Sequence, residues 1–464
     1  MSKQSSKELR AGWRIARVGD ILKVRSGYAF KSSDYKPEGV PIIRQSDLGD
    51  DVVEISQAKR VDPRFLSDLP GFVVRDGDLL IGMSGSLGKI AKYQHAEPAL
   101  QNQRTGLLVL KSESNAKFAK LVLKYVEQQI VAEGKGIAVQ NVSAKEIEDC
   151  TFPLPPSDEQ HRIVAEIEKQ FTRLEAGVAG LRRVQANLKR YRAAVLKAAC
   201  EGKLVPTEAE LARQEDRSYE TGARLLERIL TERRQKWASR GKYKEPTAPD
   251  NANLPSLPEG WTWVRLEQLG FTFGGLTKNP KRAKLRKQLP YLRVANVYAN
   301  ELCLEEIEHI GVEDSELGKL LLYAGDLLIV EGNGSKSQIG RLAIWDGSIE
   351  PCVHQNHLIK VRLVDVAMAK WILYWMLSPE GRQFVEQVAS STSGLYTLSV
   401  NKVGDLPIVL PPLAEQERIV AEVERRLSVV EELAAVVNAN LQRATRLRQS
   451  ILERAFVGEL VSKA

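Results

Sequence analysis

Four cysteines are scattered through 464 residues, at Cys150, Cys200, Cys303 and Cys352. No CxxC pair occurs, so neither a zinc module nor a disulfide framework is supported, and a reduced, cytoplasmic setting is the simplest reading. Five histidines supply no metal cluster: His354 and His357 stand three apart, but no third ligand is suggested nearby. No run of about eighteen apolar residues exists, which argues against a membrane span. The opening stretch MSKQSSKELRAG lacks an apolar signal segment. Acidic residues are in deficit, 59 against 67 Lys and Arg, for a net charge of +8 and a pI near 9.1. That excess suits a polyanion partner, although basic proteins without nucleic-acid function are common.

Catalytic signatures are also missing. GMSGSLGK (Gly82–Lys89) invites a phosphate-loop reading and fails it. Gly82 and Gly88 are one residue too far apart, and Ile90 stands where Ser or Thr would bind magnesium. GNGSKSQIG (Gly332–Gly340) keeps the Gly/Ser character without a Lys-Ser/Thr ending. No G-x-S-x-G elbow opens a helix. The Asp/Asn-Pro-Pro-Tyr/Phe tetrad of DNA amino-methyltransferases is absent as well.

What is present is said twice. LPPSDEQHRIVAEIE (Leu154–Glu168) and LPPLAEQERIVAEVE (Leu410–Glu424) agree at eleven of fifteen positions, at an offset of 256. RYRAAVLKAACEGKLV (Arg190–Val205) aligns with RLRQSILERAFVGELV (Arg446–Val461) at the same offset. Earlier, GDLLI at Gly77–Ile81 recurs at Gly325–Ile329, Trp13 at Trp261, and Pro41–Arg44 at Pro290–Arg293. The period is far too long for a solenoid, so the chain is a tandem duplication. The copies agree in scaffold signals and differ between them, which suggests one architecture with two different binding surfaces.

The pattern divides the chain into a unit at 12–152, a long helix at 153–205, a joint at 206–259, a second unit at 260–409 and a second long helix at 410–461. In the first unit short apolar runs (Ile21–Val24, Val40–Ile43, Phe72–Val74, Leu79–Ile81, Leu107–Leu110) separated by Gly, Pro and Asp-Gly read as strands. One helical stretch, Phe118–Ile130, interrupts them, and Trp371–Leu377 lies in its counterpart. The class is α+β. Ser157 or Asp158 is the expected cap of the first long helix, and Gly202 and Gly458 are the expected stops. Apolar residues at Ile163, Ile167, Phe171, Leu174, Leu181 and Leu188, and at Ile419, Val423, Leu427, Val430, Val437 and Leu441, form coiled-coil-type seams. Helices of about 40 residues are about 60 Å long, too long to hide a stripe in one small domain. Mutual packing is the economical solution, and separate oligomerisation is the alternative. The joint holds an amphipathic helix (Tyr219–Trp237) and a basic stretch, Arg233–Lys244, expected to be a solvated linker.

Two variable α+β units, each followed by PLPP-x-x-EQ or LPP-x-x-EQ and a long helix, resemble the specificity subunit of Type I restriction–modification systems. The resemblance covers nearly the whole chain, and GARLLERILTERRQKW in the joint is similar to a segment such subunits carry. It implies two target recognition domains, each reading one half of a split duplex DNA site. It also implies an antiparallel helix pair with pseudo-two-fold symmetry that sets the spacer. Two methylation subunits would dock on that scaffold and restriction/translocation subunits would join. S-adenosylmethionine, ATP and magnesium would belong to those partners, and this chain would bind no cofactor and catalyse nothing. A non-DNA scaffold with two protein-binding heads, an enzyme, and the specificity subunit of a modification-only system are the alternatives.

Base edges are read by Arg, Lys, Asn, Gln and Ser side chains, and phosphates by Lys, Arg and backbone amides. Polar segments at equivalent places in the two copies are therefore the candidates. The first copy offers Tyr28, Lys31, Arg44, Gln45, Ser84, Ser86, Lys89, Gln101, Asn102, Gln103 and Arg104. The second offers Lys278, Arg282, Arg293, Asn296, Asn333, Ser335, Lys336, Gln355 and Asn356. Lys135 and Ser393, in Gly134–Gly136 and Thr392–Gly394, read as backbone clamps. Glu159 and Glu415, at the starts of the long helices, read as scaffold.

Overall fold

The computed structural model describes residues 9–85, 87–111, 115–133, 141–237, 242–250, 252–392 and 395–461. Ser86, Lys135 and Ser393 lie outside the described residues. Among the described residues no helix is long and apolar enough to cross a membrane, and no group of three or more His, Cys, Asp or Glu could hold a metal ion.

The repeated Pro-Pro pairs mark two helices of 44 residues, Ser157–Cys200 and Leu413–Phe456. Neither Ser157 nor Asp158 precedes the first helix as a cap. The helix starts directly after Pro156, whose carbonyl accepts the amides of Glu159 and Gln160 at 3.0 Å. A fixed φ and a missing amide suit proline to a helix start. The Gln160 side chain then donates back to the Pro155 carbonyl at 3.0 Å, and Gln416 does the same to Pro411 at 2.8 Å. At the other ends Gly202 and Gly458 adopt φ of 68° and 77°. Lys203 and Glu459 reach back to the carbonyls of Ala198 and Arg454 at 2.9 and 2.8 Å, a Schellman closure that needs a left-handed residue.

The chain forms two compact units, Met1–Arg182 with Val437–Ala464, and Arg183–Val436. The dividing points fall inside both long helices, so each unit takes a half of each. The sequence division had set the helices apart from the recognition units.

In the first unit the strand Arg14–Arg17 pairs antiparallel with Thr151–Leu154. A four-stranded antiparallel sheet runs in the order Leu22–Ser26, Thr105–Leu110, Leu79–Gly82, Ile90–Lys92. A five-stranded sheet holds Val40–Ile43 parallel to Ala99–Gln101. The helical stretch at Phe118–Ile130 is two helices, Ala116–Tyr125 and Glu127–Glu133, the first capped by the Asn115 side chain. Ile163, Ile167 and Phe171 share a core with Ile451, Leu452, Ala455 and Phe456. Phe456 is fully buried. Its ring lies 4.4 Å from Tyr125, 5.7 Å from Phe118 and 6.3 Å from Phe152. Arg448 bonds Glu175 at 3.0 Å and covers the Phe171 ring. Partner numbers fall as helix numbers rise, so the helix segments in this unit are antiparallel. Phe171, Leu174 and Leu441 line a cavity of about 280 Å³ between them. Leu181 is half-buried and Val437 buried.

The second unit repeats the plan. Thr262–Arg265 pairs with Pro407–Leu410, and the four-stranded order is Gly270–Phe273, Leu358–Leu363, Leu327–Val330, Leu342–Ile344. Ile419, Val423 and Leu427 are buried in one core with Val195 and Leu196; Val430 is buried and Leu188 half-buried. Arg192 meets Glu431 at 3.5 Å, an ion pair equivalent to Arg448–Glu175 at the 256 offset. The joint helix is Gly222–Gln235, with Leu225 and Ile229 in the core, and a shorter helix, Glu208–Gln214, precedes it. Arg233 is buried over the Phe271 ring at 4.6 Å and donates to the Tyr243 hydroxyl at 2.8 Å. The basic stretch thus begins inside the fold, correcting the expectation of a solvated linker: an arginine over aromatic rings keeps its charge while covering apolar surface.

One buried link appears in both units. The Trp13 indole donates to Glu159 at 2.9 Å, and the Trp261 indole donates to Glu415 at 3.0 Å. Each ties the residue just before a unit's first strand to the first turn of its long helix. Burial raises the Glu415 carboxyl above its ordinary pKa, against the bonds from the Glu208 amide and Trp261.

Candidate nucleic-acid interface

Gln101–Arg104 and His354–His357 follow the strands Ala99–Gln101 and Val353–His354, and the backbone holds the two tetrads alike. In the first unit the Tyr28 amide donates to the Gln101 carbonyl at 2.9 Å, the Gln103 amide to Tyr28 at 2.9 Å and the Asn102 amide to Ile43 at 3.1 Å. In the second, the Leu276 amide donates to His354 at 2.9 Å, the Asn356 amide to Leu276 at 3.0 Å and the Gln355 amide to Leu292 at 2.9 Å. Gly27 and Gly275 permit this approach, since a Cβ at either would overlap the carbonyls of the tetrad.

The first residue of each tetrad serves the fold. Gln101 is fully buried and its amide donates to the Thr105 carbonyl at 2.6 Å and the Arg25 carbonyl at 2.8 Å. His354, equally buried, faces the carbonyl of Leu358 at 3.1 Å, again four residues on. Burial first, then the nearby Lys360, pushes its pKa down to about 3. The second residue also turns inward. The Asn102 side chain accepts the Arg104 amide at 3.3 Å, and Gln355 accepts the Val294 amide at 3.2 Å. The outer two positions, Gln103 and Arg104 against Asn356 and His357, face outward; Gln103, Arg104 and His357 are exposed and Asn356 half-buried.

The loop after each GDLLI strand lies beside its tetrad. Arg104 donates to the Ser84 hydroxyl at 3.1 Å, and Gln45 lies against Gly85. In the second unit His357 Nδ1 donates to Glu331 at 3.1 Å, and the Asn333 side chain accepts the Ser335 amide at 2.9 Å. Gln45, Ser84, Gln103 and Arg104 are thereby brought together in one unit, and Glu331, Asn356 and His357 in the other. Ser84 and Asn102 are buried. Tyr28 is partly exposed and stacks edge-on with Phe30 and Phe72.

The remaining candidates sit around these loops. Lys31 is exposed. Arg44 is bonded to Asp47 at 3.0 Å, and Lys89 meets Asp50 at 3.5 Å. Lys278 and Arg293 share Glu308, both at 2.7 Å. Arg282 forms a fork with Glu316, at 2.6 and 2.9 Å. Lys336 is exposed and reaches Glu386 at 3.8 Å. Asn296 is buried, with its amide on the carbonyls of Cys303 and Glu306 at 2.8 and 3.0 Å. For Gln101 and Asn296 the geometry gives a structural task that the sequence reading did not anticipate: a buried amide must satisfy its own donors.

The family model for the Type I restriction modification DNA specificity domain matches residues 10–178. That span is the first unit's N-terminal portion with the first half of its long helix, and over it the chain is similar to the specificity domain. It is similar over 99% of its length to the Type I restriction enzyme EcoKI specificity subunit of Escherichia coli (strain K12), 24% identical over 481 residues and 91% of that protein. The EcoBI specificity subunit of Escherichia coli is 24% identical over 458 residues, 97% of this chain and 87% of that protein. A solved chain, from work on complex assembly and conformational transition of the type I R-M system, shares the fold at a TM-score of 0.60. The two are 19% identical, over 98% of this chain and 100% of that one.

Sequence reasoning passed over six exposed or half-buried residues. Glu331 was not singled out, and His357 was weighed only as half of a metal pair; the fold brings the two 3.1 Å apart. Tyr298 and Arg341 stack with 5.0 Å from guanidinium to ring centroid. Lys281, Lys284 and Arg286 extend the basic loop around Arg282 and are exposed. The charge run Lys278–Lys287 was a signal that could have found all three.

Proposed function

We propose that this chain is the DNA specificity subunit of a Type I restriction–modification complex, a non-catalytic reader of a bipartite duplex site. The observation that carries this reading is the pair of tetrads, held by the same backbone bonds and ending in different polar side chains. One frame with two chemistries is what two different sequence blocks require. The net charge of +8 supports a polyanion partner, since phosphate contacts supply much of the affinity for duplex DNA.

In this reading each unit reads one block, the long helices set the spacer, and two methylation subunits dock on the helical scaffold. Restriction/translocation subunits complete the assembly. S-adenosylmethionine, ATP and magnesium are then held by the partners, because methylating a base requires flipping it into a pocket that a catalytic subunit must provide. The test is to co-express the full chain with its methylation subunits and map modified adenines in genomic DNA. A motif of two separated blocks is expected. A single uninterrupted block, or no sequence-dependent modification, would overturn the reading.

A further inference from the structure

Resting on the DNA-reading function just proposed, we infer that Arg104 and the Glu331–His357 pair set base identity in the two half-sites, Arg104 reading guanine and Glu331 reading the exocyclic amino group of cytosine. The reasoning is one of elimination within a shared frame. Arg104 and His357 are the last residues of equivalent tetrads, and each touches the loop that follows its GDLLI strand. Gln101, Asn102 and His354 are buried, and each of the first two residues of either tetrad turns a side-chain atom to the backbone. Base discrimination at this place therefore falls to the outer positions.

The chemistry there is opposite in sign. Arg104 offers donors only. Its side chain is anchored at one nitrogen, by Ser84 at 3.1 Å, and among the described residues its other guanidinium nitrogens have no partner. A fixed planar fork with free donors matches the O6 and N7 acceptors of guanine. Glu331 offers acceptors. His357 Nδ1 holds one carboxylate oxygen at 3.1 Å, and the second oxygen has no partner among the described residues. A carboxylate at a base edge accepts from an amino group, as cytosine N4 presents. The Glu331 backbone is pinned at both groups: its amide donates to His357 at 2.9 Å and its carbonyl accepts from Leu398 at 2.8 Å. His357 is thus a positioning residue that orients the carboxylate.

The frame explains how one scaffold changes its specificity by substitution at two or three exposed sites. The lysines paired nearby, Lys89 with Asp50 and Lys336 with Glu386, are long flexible point charges suited to phosphate rather than to a base edge.

The test uses the full chain assembled with its methylation subunits and a pool of duplexes randomised across both blocks. Wild type, Arg104→Ala, Arg104→Lys, Glu331→Gln and His357→Asn are selected in parallel. Arg104→Ala is expected to lose preference for guanine at one position of one block, by about 5- to 150-fold, with the other block unchanged. Glu331→Gln, which can donate as well as accept, is expected to relax preference for cytosine in the other block. His357→Asn should weaken that preference without changing the preferred base. Unchanged motifs in Arg104→Ala and Glu331→Gln overturn the assignment. So does an equal loss of affinity for every sequence with Arg104→Ala, while Arg104→Lys binds normally, because that marks a phosphate contact. If wild type itself enriches no two-block motif, the DNA-reading function has failed, which is a distinct result.

Discussion

Gln101 and His354 hold the same node of the fold, each bonded to the carbonyl four residues ahead, but they respond differently to acid. Gln101 has no proton to gain. His354, pushed down to about 3 by burial, stays neutral while the unfolded chain takes up a proton near pH 6.5. Between about pH 6.5 and 3 the unfolded state binds more protons, so stability of the second unit falls as pH drops through that window. His354→Gln should therefore lose less stability than wild type between pH 7.5 and 4.5, by on the order of 2 kcal/mol. Urea midpoints at the two pH values check this, and an identical drop in both proteins would refute it. Lys360, lowered to about 7 by burial, acts in a different window. Its contribution rises with pH from about 7 to the unfolded value near 10.5. At the same scale, Lys89→Ala or Lys336→Ala should weaken DNA binding without altering the preferred sequence, and each should lower the salt slope by about one. Affinities from 50 to 300 mM salt would show it, and an unchanged slope would remove that lysine from the phosphate contacts.

Among the elements, the ends of the long helices do the anchoring. Phe456, at the last turn of the second helix, fills a pocket made by Phe118, Tyr125 and Phe152. At the 256 offset its equivalent is Cys200, which lies in the second unit's core where Trp371 stands in the place of Phe118. One large and one small side chain replace two of middling size, as close packing demands. Phe456→Ala should cost about 3–5 kcal/mol in the unfolding transition of the first unit. A loss below about 1 kcal/mol in chemical denaturation would mean the pocket collapses around the smaller side chain. By contrast Glu175→Gln, which breaks the solvent-facing pair with Arg448, should cost less than about 1 kcal/mol.

For the molecule as a whole, the folding units are not contiguous in sequence. The first needs Val437–Ala464 to complete a core begun by the N-terminal residues. A chain ended at Val436 would strip Ile451, Leu452, Ala455 and Phe456 from that core. It should leave the first unit protease-sensitive while the second, Arg183–Val436, still unfolds cooperatively. Limited proteolysis with mass mapping distinguishes this from general unfolding, and a resistant first unit would contradict it. Exchanging residues 12–152 for those of another specificity subunit should alter one DNA block alone, as read from the modified motif. A change in both blocks would show that the units do not read independently.

Composition, spacing and repetition by themselves determined the duplication, the α+β class, most strand positions, the two long helices and their glycine stops. These are local or periodic properties: an apolar run, a Pro-Pro start and a 3.5-residue seam act on their immediate neighbours. Only the tertiary structure decided which polar residues face solvent. Gln101, Asn102, Asn296 and Gln355 read in sequence like Arg104 and Asn356, but their environments differ because backbone groups claim their side chains: carbonyls take the amides of Gln101 and Asn296, and amides donate to the oxygens of Asn102 and Gln355. The Glu331–His357 pair likewise joins residues 26 apart that share no motif. Burial is a property of the assembled chain, so a polar side chain's task, holding a loop or meeting a ligand, is settled by what packs around it.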